Sequence, residues 1–536
     1  MSNLMSTLNM SANALGVHQS VISIISNNIS NMNTEGYHKQ KANLGTLVLG
    51  LPIGNDVNTQ VKTSAGVELI NVERYTTTFM DSYYRNQLTN QAYLNQMANG
   101  LGDIASLFDE LQGQGLDSAL EAFYKSLDNL NQYPTDMAAR INFLNSASTL
   151  TDSMNLLYSN LENSKNKGLG DGESQYALEN SEIYAQMKGI NDVLTQIAGV
   201  NKMLISSQTG TLENNNLLDR RDILLKELST YGDFTIDTLD NGSVNVSLEG
   251  TKLIKGSEVL GTFDIQTATS YDKYCQAAGI DNTNECNAVI MIRKSDGSVI
   301  QNANKKFDAG AVGGIIEAGT SQDGTNIPAI QGSLNTLAQA IADVFNEIQT
   351  REGAFYIDNA GGNLKLSNTD LDKYVIFTTN DGSDVITAGN ISINSLLTED
   401  GGYNKIAAAY FENYDPADPD SVDLNAVGNA NNIIAFLNTK NDNTAAGFDS
   451  IGNISFSDFY SGIIGKVISG NTAAQSAAEV QNNVVASLDN QAAAQTSVDL
   501  NEELTELIKF QTAYSASARV FSTCNSLLDT LISLGL

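Results

Sequence analysis

Residues 26–40, SNNISNMNTEGYHKQ, close the first periodic segment of the chain. Leading into them, an unbroken four-three spacing runs through Leu4, Leu8, Ser11, Leu15, His18, Ile22, Ile25, Ile29 and Met32. Such a spacing is the seam of a helix that buries one narrow stripe. Asn27, Asn28 and Asn31 line a polar flank of that helix, where amides both donate and accept hydrogen bonds. Asn33 and Gly36 are stop residues, since glycine takes positive φ freely. Tyr37 adds a large amphipathic anchor just past the stop.

The same spacing returns at the other end of the chain, through Leu500, Leu504, Leu507, Gln511, Tyr514, Ala518, Phe521, Asn525, Leu528 and Ile532. The two stripes match in length, and neither helix buries its stripe alone. The expected solution packs residues 1–40 against 497–536, with Leu15, Ile22, Ile25 and Ile29 on Leu504, Leu507, Tyr514 and Phe521. The remaining faces, carrying Asn27, Asn28, Asn31 and Gln511, are expected to meet neighbouring subunits. Stripes this narrow do not by themselves offset the entropy of ordering both helices. The termini are therefore expected to order only among copies of the chain, as in a polymer.

Between the ends the pattern stays helical at first. Leu, Phe, Tyr and Met recur at helical spacing in 76–112, 116–165, 173–207 and 213–230, with a Gly-rich turn at Gly168, Gly170 and Gly172. From about Tyr231 the period changes to two, and Asn241-Gly242 between alternating runs is a strong hairpin signal. A stretch rich in Asn, Asp, Gly and Thr follows, interrupted by one helix over about 333–350. Helical pattern resumes at 426–440 and from 471 onward. The expected fold is multidomain and mainly α, with long terminal coiled-coil helices, a helical rod and a β-rich central insertion. Its expected domains are 1–40 with 497–536 for assembly, 41–230 with 426–496 for the rod, and 231–425 for a β-rich outer domain.

Composition narrows the function. The 536 residues carry a net charge of −32, two His, three Cys and no Trp. So negative a field repels nucleic-acid phosphates and anionic lipid. His-based triads and His-rich metal clusters are absent by count, and His18 lies on the helix seam. Asp415, Asp418, Asp420 and Asp423 lack calcium-loop spacing and read as a solvated acidic turn. Gly310, Gly313 and Gly314 lack the Lys-Ser/Thr of a phosphate cradle. Cys275 and Cys286 stand in a loop-like segment, where pairing and free thiols are both open, and Cys524 lies in a helical pattern. No catalytic, cofactor or metal constellation emerges. The amino terminus lacks a basic region followed by an apolar run, so no ordinary secretory signal is expected.

The stretch 26–40, with its Asn27-Asn28-Ile29 and Asn33-Thr34-Glu35-Gly36-Tyr37 blocks, resembles the amino-terminal motif of the axial proteins of the bacterial flagellum: rod, hook and hook-associated proteins. The segments LLDRRDILLKELS (217–229), FSDFYSGIIGKVI (456–468) and the carboxy-terminal 497–534 resemble, within that group, the junction proteins between hook and filament. Glu35 stands where that motif usually has proline, and His38-Lys39 where it has Ser-Arg. The resemblance implies a non-enzymatic structural subunit of the extracellular flagellum, secreted through the flagellar type III system and assembled as a ring. It also implies its partners: other copies of itself, the hook protein, the second junction protein and an export chaperone. Thr34, Gly36 and Tyr37 join the three asparagines as motif residues. The alternatives are another axial protein, such as hook protein or the second junction protein, or an adhesin-like role for 231–425.

Overall fold

The structure, a computed structural model, describes residues 2–53, 56–76, 78–108, 115–282, 284–322, 324–360, 363–399, 401–418, 421–441 and 447–534. Helix α1 (Ser2–Asn31) leads into a long hairpin, β1 (Gln40–Ile53) and β2 (Asp56–Arg74). Six helices follow: α2 (Thr78–Leu107), α3 (Leu116–Gln132), α4 (Met137–Leu169), the short α5 (Gln175–Glu179), α6 (Glu182–Ser206) and α7 (Leu212–Tyr231). A four-stranded antiparallel sheet comes next: β3 (Thr235–Thr238), β4 (Val244–Leu248), β5 (Thr251–Lys255) and β6 (Glu258–Val259). β7 (Gly261–Thr267), β8 (Ala288–Lys294) and β9 (Val299–Ile300) form a second sheet, with α8 (Ala268–Ala278) between its first two strands.

Helices α9 (Gly310–Thr320) and α10 (Ile327–Thr350) then cross to another body. There β10 (Ala354–Ala360) pairs with β11 (Asn363–Ser367) and β14 (Ala407–Tyr410), and β12 (Phe377–Thr379) with β13 (Ile391–Ile393). Short α11 (Ser395–Thr398) and α12 (Asn431–Asn438) close it. The 41-residue α13 (Phe456–Thr496) returns along α2, and α14 (Leu500–Leu534) returns along α1.

Among the described residues, two large hydrophobic cores organise the middle. One gathers the end of α2, α3, most of α4, α10, β10–β14, α12 and the start of α13 around Phe123, whose ring touches those of Phe143, Phe345 and Phe377 at centroid distances of 5.5, 5.0 and 6.2 Å. The other gathers α6, α7, the two sheets β3–β9 and α9. The expected single β-rich domain over 231–425 is thus corrected. Its strands belong to sheets of two to four, too small to enclose a core, so each sheet takes its cover from helices and the segment divides between two bodies.

Two further corrections concern helices and strands. The segment assigned to the helical rod begins with a hairpin, because Gln40–Arg74 alternates rather than following a helical period. Conversely, α9 was hidden by glycines that discourage helix in isolation. They permit close packing instead: a Cβ on Gly314 would come 2.9 Å from Gln96 Cβ on α2, and one on Gly319 2.3 Å from Leu169 Cδ1 on α4. Asn241-Gly242 does turn β3 into β4, with Gly242 at φ +80°. In the acidic turn, Asp420 lies outside the described residues.

Candidate functional site

The chain ends meet. α1 and α14 run antiparallel, with Asn28 beside Glu503 and the His18 ring 5.9 Å from that of Phe510. On α14 the stripe that α1 covers carries Glu503, Leu507, Phe510, Phe521, Cys524 and Leu528. On α1, Val21, Ile24, Ile25 and Asn28 are buried, while Leu4, Leu8, Leu15, Ile22 and Ile29 are half-buried.

This differs from the expected pairing. Leu500, Leu504, Tyr514 and Ile532 are 39%, 41%, 37% and 56% exposed and do not lie on α1. Over this length an ideal helix drifts relative to a seven-residue repeat, so the strict seam slides off the contact face. The hairpin adds the second cause. It packs on α1 beside α14 and draws Val21 and Ile24 into the buried set, widening a two-helix seam into a three-sided contact.

At the motif end a polar latch closes the pair. Asn28 is 1% exposed, and its amide has all its principal partners. Nδ2 donates to the Gln40 carbonyl at 2.8 Å and to Glu503 Oε2 at 3.0 Å. Oδ1 accepts from the Tyr37 hydroxyl at 2.8 Å and from the Gln40 backbone N–H at 3.0 Å. One side chain therefore ties together the end of α1, the turn after it, the start of β1 and the start of α14. Asn28 was expected to face a neighbouring subunit; it is corrected to an internal residue. Asn31 donates back to Asn27, through Oδ1 at 2.7 Å and the carbonyl at 3.0 Å, and accepts from Thr34 Oγ1 at 3.2 Å. Gln511 is exposed.

Gly36 sits at φ +71°, and a Cβ there would lie 2.5 Å from Ile223 Cγ1 of α7. Gly36→Ala is expected to cost about 1–2 kcal/mol from left-handed backbone alone, with the contact to Ile223 adding to it. Hydrogen exchange of residues 20–40 in the variant, compared with the native chain, checks this.

Electrostatics join the latch to the body. The His38 ring Nδ1 lies 2.7 Å from Asp219 Oδ1. Arg74, at the end of β2, donates to Asp219 at 2.8 Å and to Asp222 at 2.6 Å, and Arg221 Nε donates to Asp222 at 2.9 Å. Gln40 Nε2 donates to Asn216, and Gln40 Oε1 accepts from Asn215. Burial pushes the Asp222 carboxyl up, but the Arg74 and Arg221 charges outweigh it and hold it below its ordinary value. Lys39 pairs with Glu502 and Glu503 at 2.6 and 3.1 Å, which overcomes partial burial and holds its ammonium above the usual value. Burial, with the Asp219 and Glu503 charges, raises the Tyr37 phenol. At pH 7 these directions keep Asp222 ionised, Lys39 protonated and the Tyr37 phenol neutral, which suits a clasp of fixed ion pairs and hydrogen bonds.

Sequence reasoning missed Gln40, Arg74, Asp219, Asp222 and Glu503. A signal was present: Asp219, Arg221 and Asp222 stand between Leu217-Leu218 and Ile223-Leu224-Leu225, where charge is costly unless paired. The described residues contain no group of three His, Cys, Asp or Glu placed to hold a metal. The cysteine question left open by spacing resolves to three buried free thiols, Cys275, Cys286 and Cys524. No described helix is long and apolar enough to cross a membrane.

Comparison with known proteins places this geometry. Residues 101–364 match the family described as flagellar hook-associated protein FlgK helical domain. Residues 8–38 match flagella basal body rod protein, and 490–534 match flagellar basal body rod FlgEFG protein C-terminal. The latch therefore unites the two terminal matches. The chain is 26% identical over 543 residues to flagellar hook-associated protein 1 of Bacillus subtilis, covering 97% of this chain and 96% of that one. It is 25% identical over 601 residues to that of Salmonella typhimurium, covering 99% and 100%. The solved flagellar hook junction protein FlgK from Burkholderia pseudomallei shares the fold at TM-score 0.55 and 14% identity, over 78% of this chain and all of that one. From end to end, then, this chain is similar to flagellar hook-associated protein 1, and the proteins it is similar to are structural components of the flagellum rather than enzymes.

Proposed function

We propose that the protein polymerises through α1 and α14 into the ring that joins hook to filament. Its contacts there are other copies of itself, the hook protein below and the second junction protein above. The observation that carries this reading is the uncovered surface of α14. Leu500, Leu504, Ile508, Val520, Leu527 and Leu531 are all between 39% and 64% exposed on a helix already packed on α1. Leu500, Leu504 and Ile508 lie on one side of α14 and Val520, Leu527 and Leu531 on another; large apolar side chains so exposed call for partners, and the latch holds the helix that presents them.

The same reading accounts for export. The chain leaves through the flagellar type III channel in an unfolded state, accompanied by a chaperone at its carboxy-terminal helix. With three free thiols and no disulfide among its cysteines, its folding needs no oxidation step. The ends of the pair far from the latch, near Leu4 and Leu528, order when neighbours cover them.

Removing either terminal thirty residues is expected to leave both central cores folded, since neither core draws on α1 or α14. The truncated chains should nonetheless fail to join the hook tip. Circular dichroism reports the first outcome and electron microscopy of hooks from complemented deletion cells the second. Normal incorporation of a truncated chain contradicts the proposal.

A further inference from the structure

Opposite its contact with α14, α1 forms one wall of a groove of about 550 Å³. Gly16, Ser20 and Ser23 line it on α1, Ile70 on β2, and Thr209 and Leu212 at the start of α7. None of its lining residues ionises, in a chain of net charge −32. Ile70 is 65% exposed there.

Gly16 supplies a second, independent observation. It sits in the interior of α1, where glycine is the poorest helix former except proline. A Cβ built on it meets nothing within 4 Å, so packing within this chain does not require glycine. The missing side chain leaves room for something outside the chain.

We infer that this groove receives α14 of a second copy, through the stripe of Val520, Thr523, Leu527 and Leu531. The inference rests on the polymerisation reading above and names the surface that performs it. Two copies of so acidic a chain repel one another, so they are best joined where both faces carry no charge. The groove is such a face, and this stripe is its match. Spaced three and four residues apart, its members share one side of α14. Val520, Leu527 and Leu531 are 45%, 50% and 47% exposed, and Asp529 projects from another side. The chain's own α14 cannot fill the groove, because it occupies the opposite face of α1. Each α1 thus stands between its own α14 and that of a neighbour, which propagates a ring.

Gly16→Leu in the full chain tests this, because leucine favours helix and fills the groove. Hydrogen exchange of α1 in the free protein is expected to be unchanged or slower, while incorporation at the hook tip falls at least tenfold. Native-level incorporation of Gly16→Leu overturns the inference. In a second measurement, chains carrying Ser20→Cys and Leu527→Cys, each with Cys524→Ala, are co-expressed and oxidised. A disulfide-linked dimer that needs both chains is expected; filament-bearing cells without it also overturn the inference. Absence of the native chain from the hook–filament junction would contradict the polymerisation reading instead, so the two failures are distinguishable.

Discussion

Asn28→Ala is expected to release both terminal helices while leaving the central cores intact. The substitution removes four hydrogen bonds at a buried position and strands the Tyr37 hydroxyl, both backbone groups of Gln40 and one oxygen of Glu503. A buried polar group left without a partner costs about 1–3 kcal/mol, and more when charged. Partial opening to water recovers some of this, so a net loss of about 3–5 kcal/mol is expected. Hydrogen exchange reads it best, because a protein with separate bodies has no single melting free energy. Protection should fall across α1 and the first turns of α14 and persist around Phe123. Asn28→Asp tests the same geometry by charge: it places a second carboxylate against Glu503 and should release the helices as fully as alanine does.

Arg74→Met is the second large effect. Arg74 is the only cation that bridges Asp219 and Asp222 among the described residues, and removing one partner from a buried ion cluster costs about 3–5 kcal/mol. Asp219 keeps His38, and Asp222 keeps Arg221, which sets the loss toward the lower end. The expected result is separation of the hairpin from α7, read as loss of protection in β2 and the 207–212 turn. Acid provides the matching test. The Asp222 carboxyl is held below its ordinary value in the folded protein, so its contribution is complete above the usual carboxylate range of about 4. That contribution is lost as pH falls through the folded value. The hairpin contact of the native chain should therefore loosen in strong acid, and Arg74→Met should flatten that part of the acid profile.

The two variants also show which parts of the molecule the sequence made legible. Helical spacing exposed the paired ends, because a repeat in one helix and a matching repeat in another leave few ways to bury both. The motif at 26–40 was legible for a similar reason: a helix stop, a glycine and an aromatic anchor occupy fixed positions. What spacing did not reveal was rotation. Asn28 looked like one of three equivalent asparagines, and only the hairpin folding back over α1 turns it inward while Asn31 stays at the rim. Its partner Glu503 lies 475 residues away, in a helix turn whose acidic residues read as ordinary solvated charge. The central segment failed for another reason. Short strands announce sheets but not which helices will cover them, and the division of β3–β9 from β10–β14 depends on contacts with α6, α7 and α10 far along the chain. Glycines in α9 misled because their use is close packing, a property of neighbours and not of the segment.

Fold and function connect through stiffness. The latch fixes the angle between the terminal pair and the hairpin, and the His38–Asp219–Arg74–Asp222 cluster fixes the hairpin to α7. α2 and α13 extend that connection through polar pairs, Gln87 with Gln481 and Asn95 with Asn482. In the assembly proposed above, a subunit built this way transmits force from its terminal helices to its central bodies without a loose joint.

A subunit-resolution image of the hook–filament junction decides whether the two terminal helices work as a pair. α1 and α14 of each subunit are expected to lie antiparallel, Asn28 against Glu503, with the Leu504–Ile508 side of α14 covered by other subunits. Terminal helices of one subunit standing apart in the assembled flagellum, or that side of α14 facing open solvent, would contradict that arrangement.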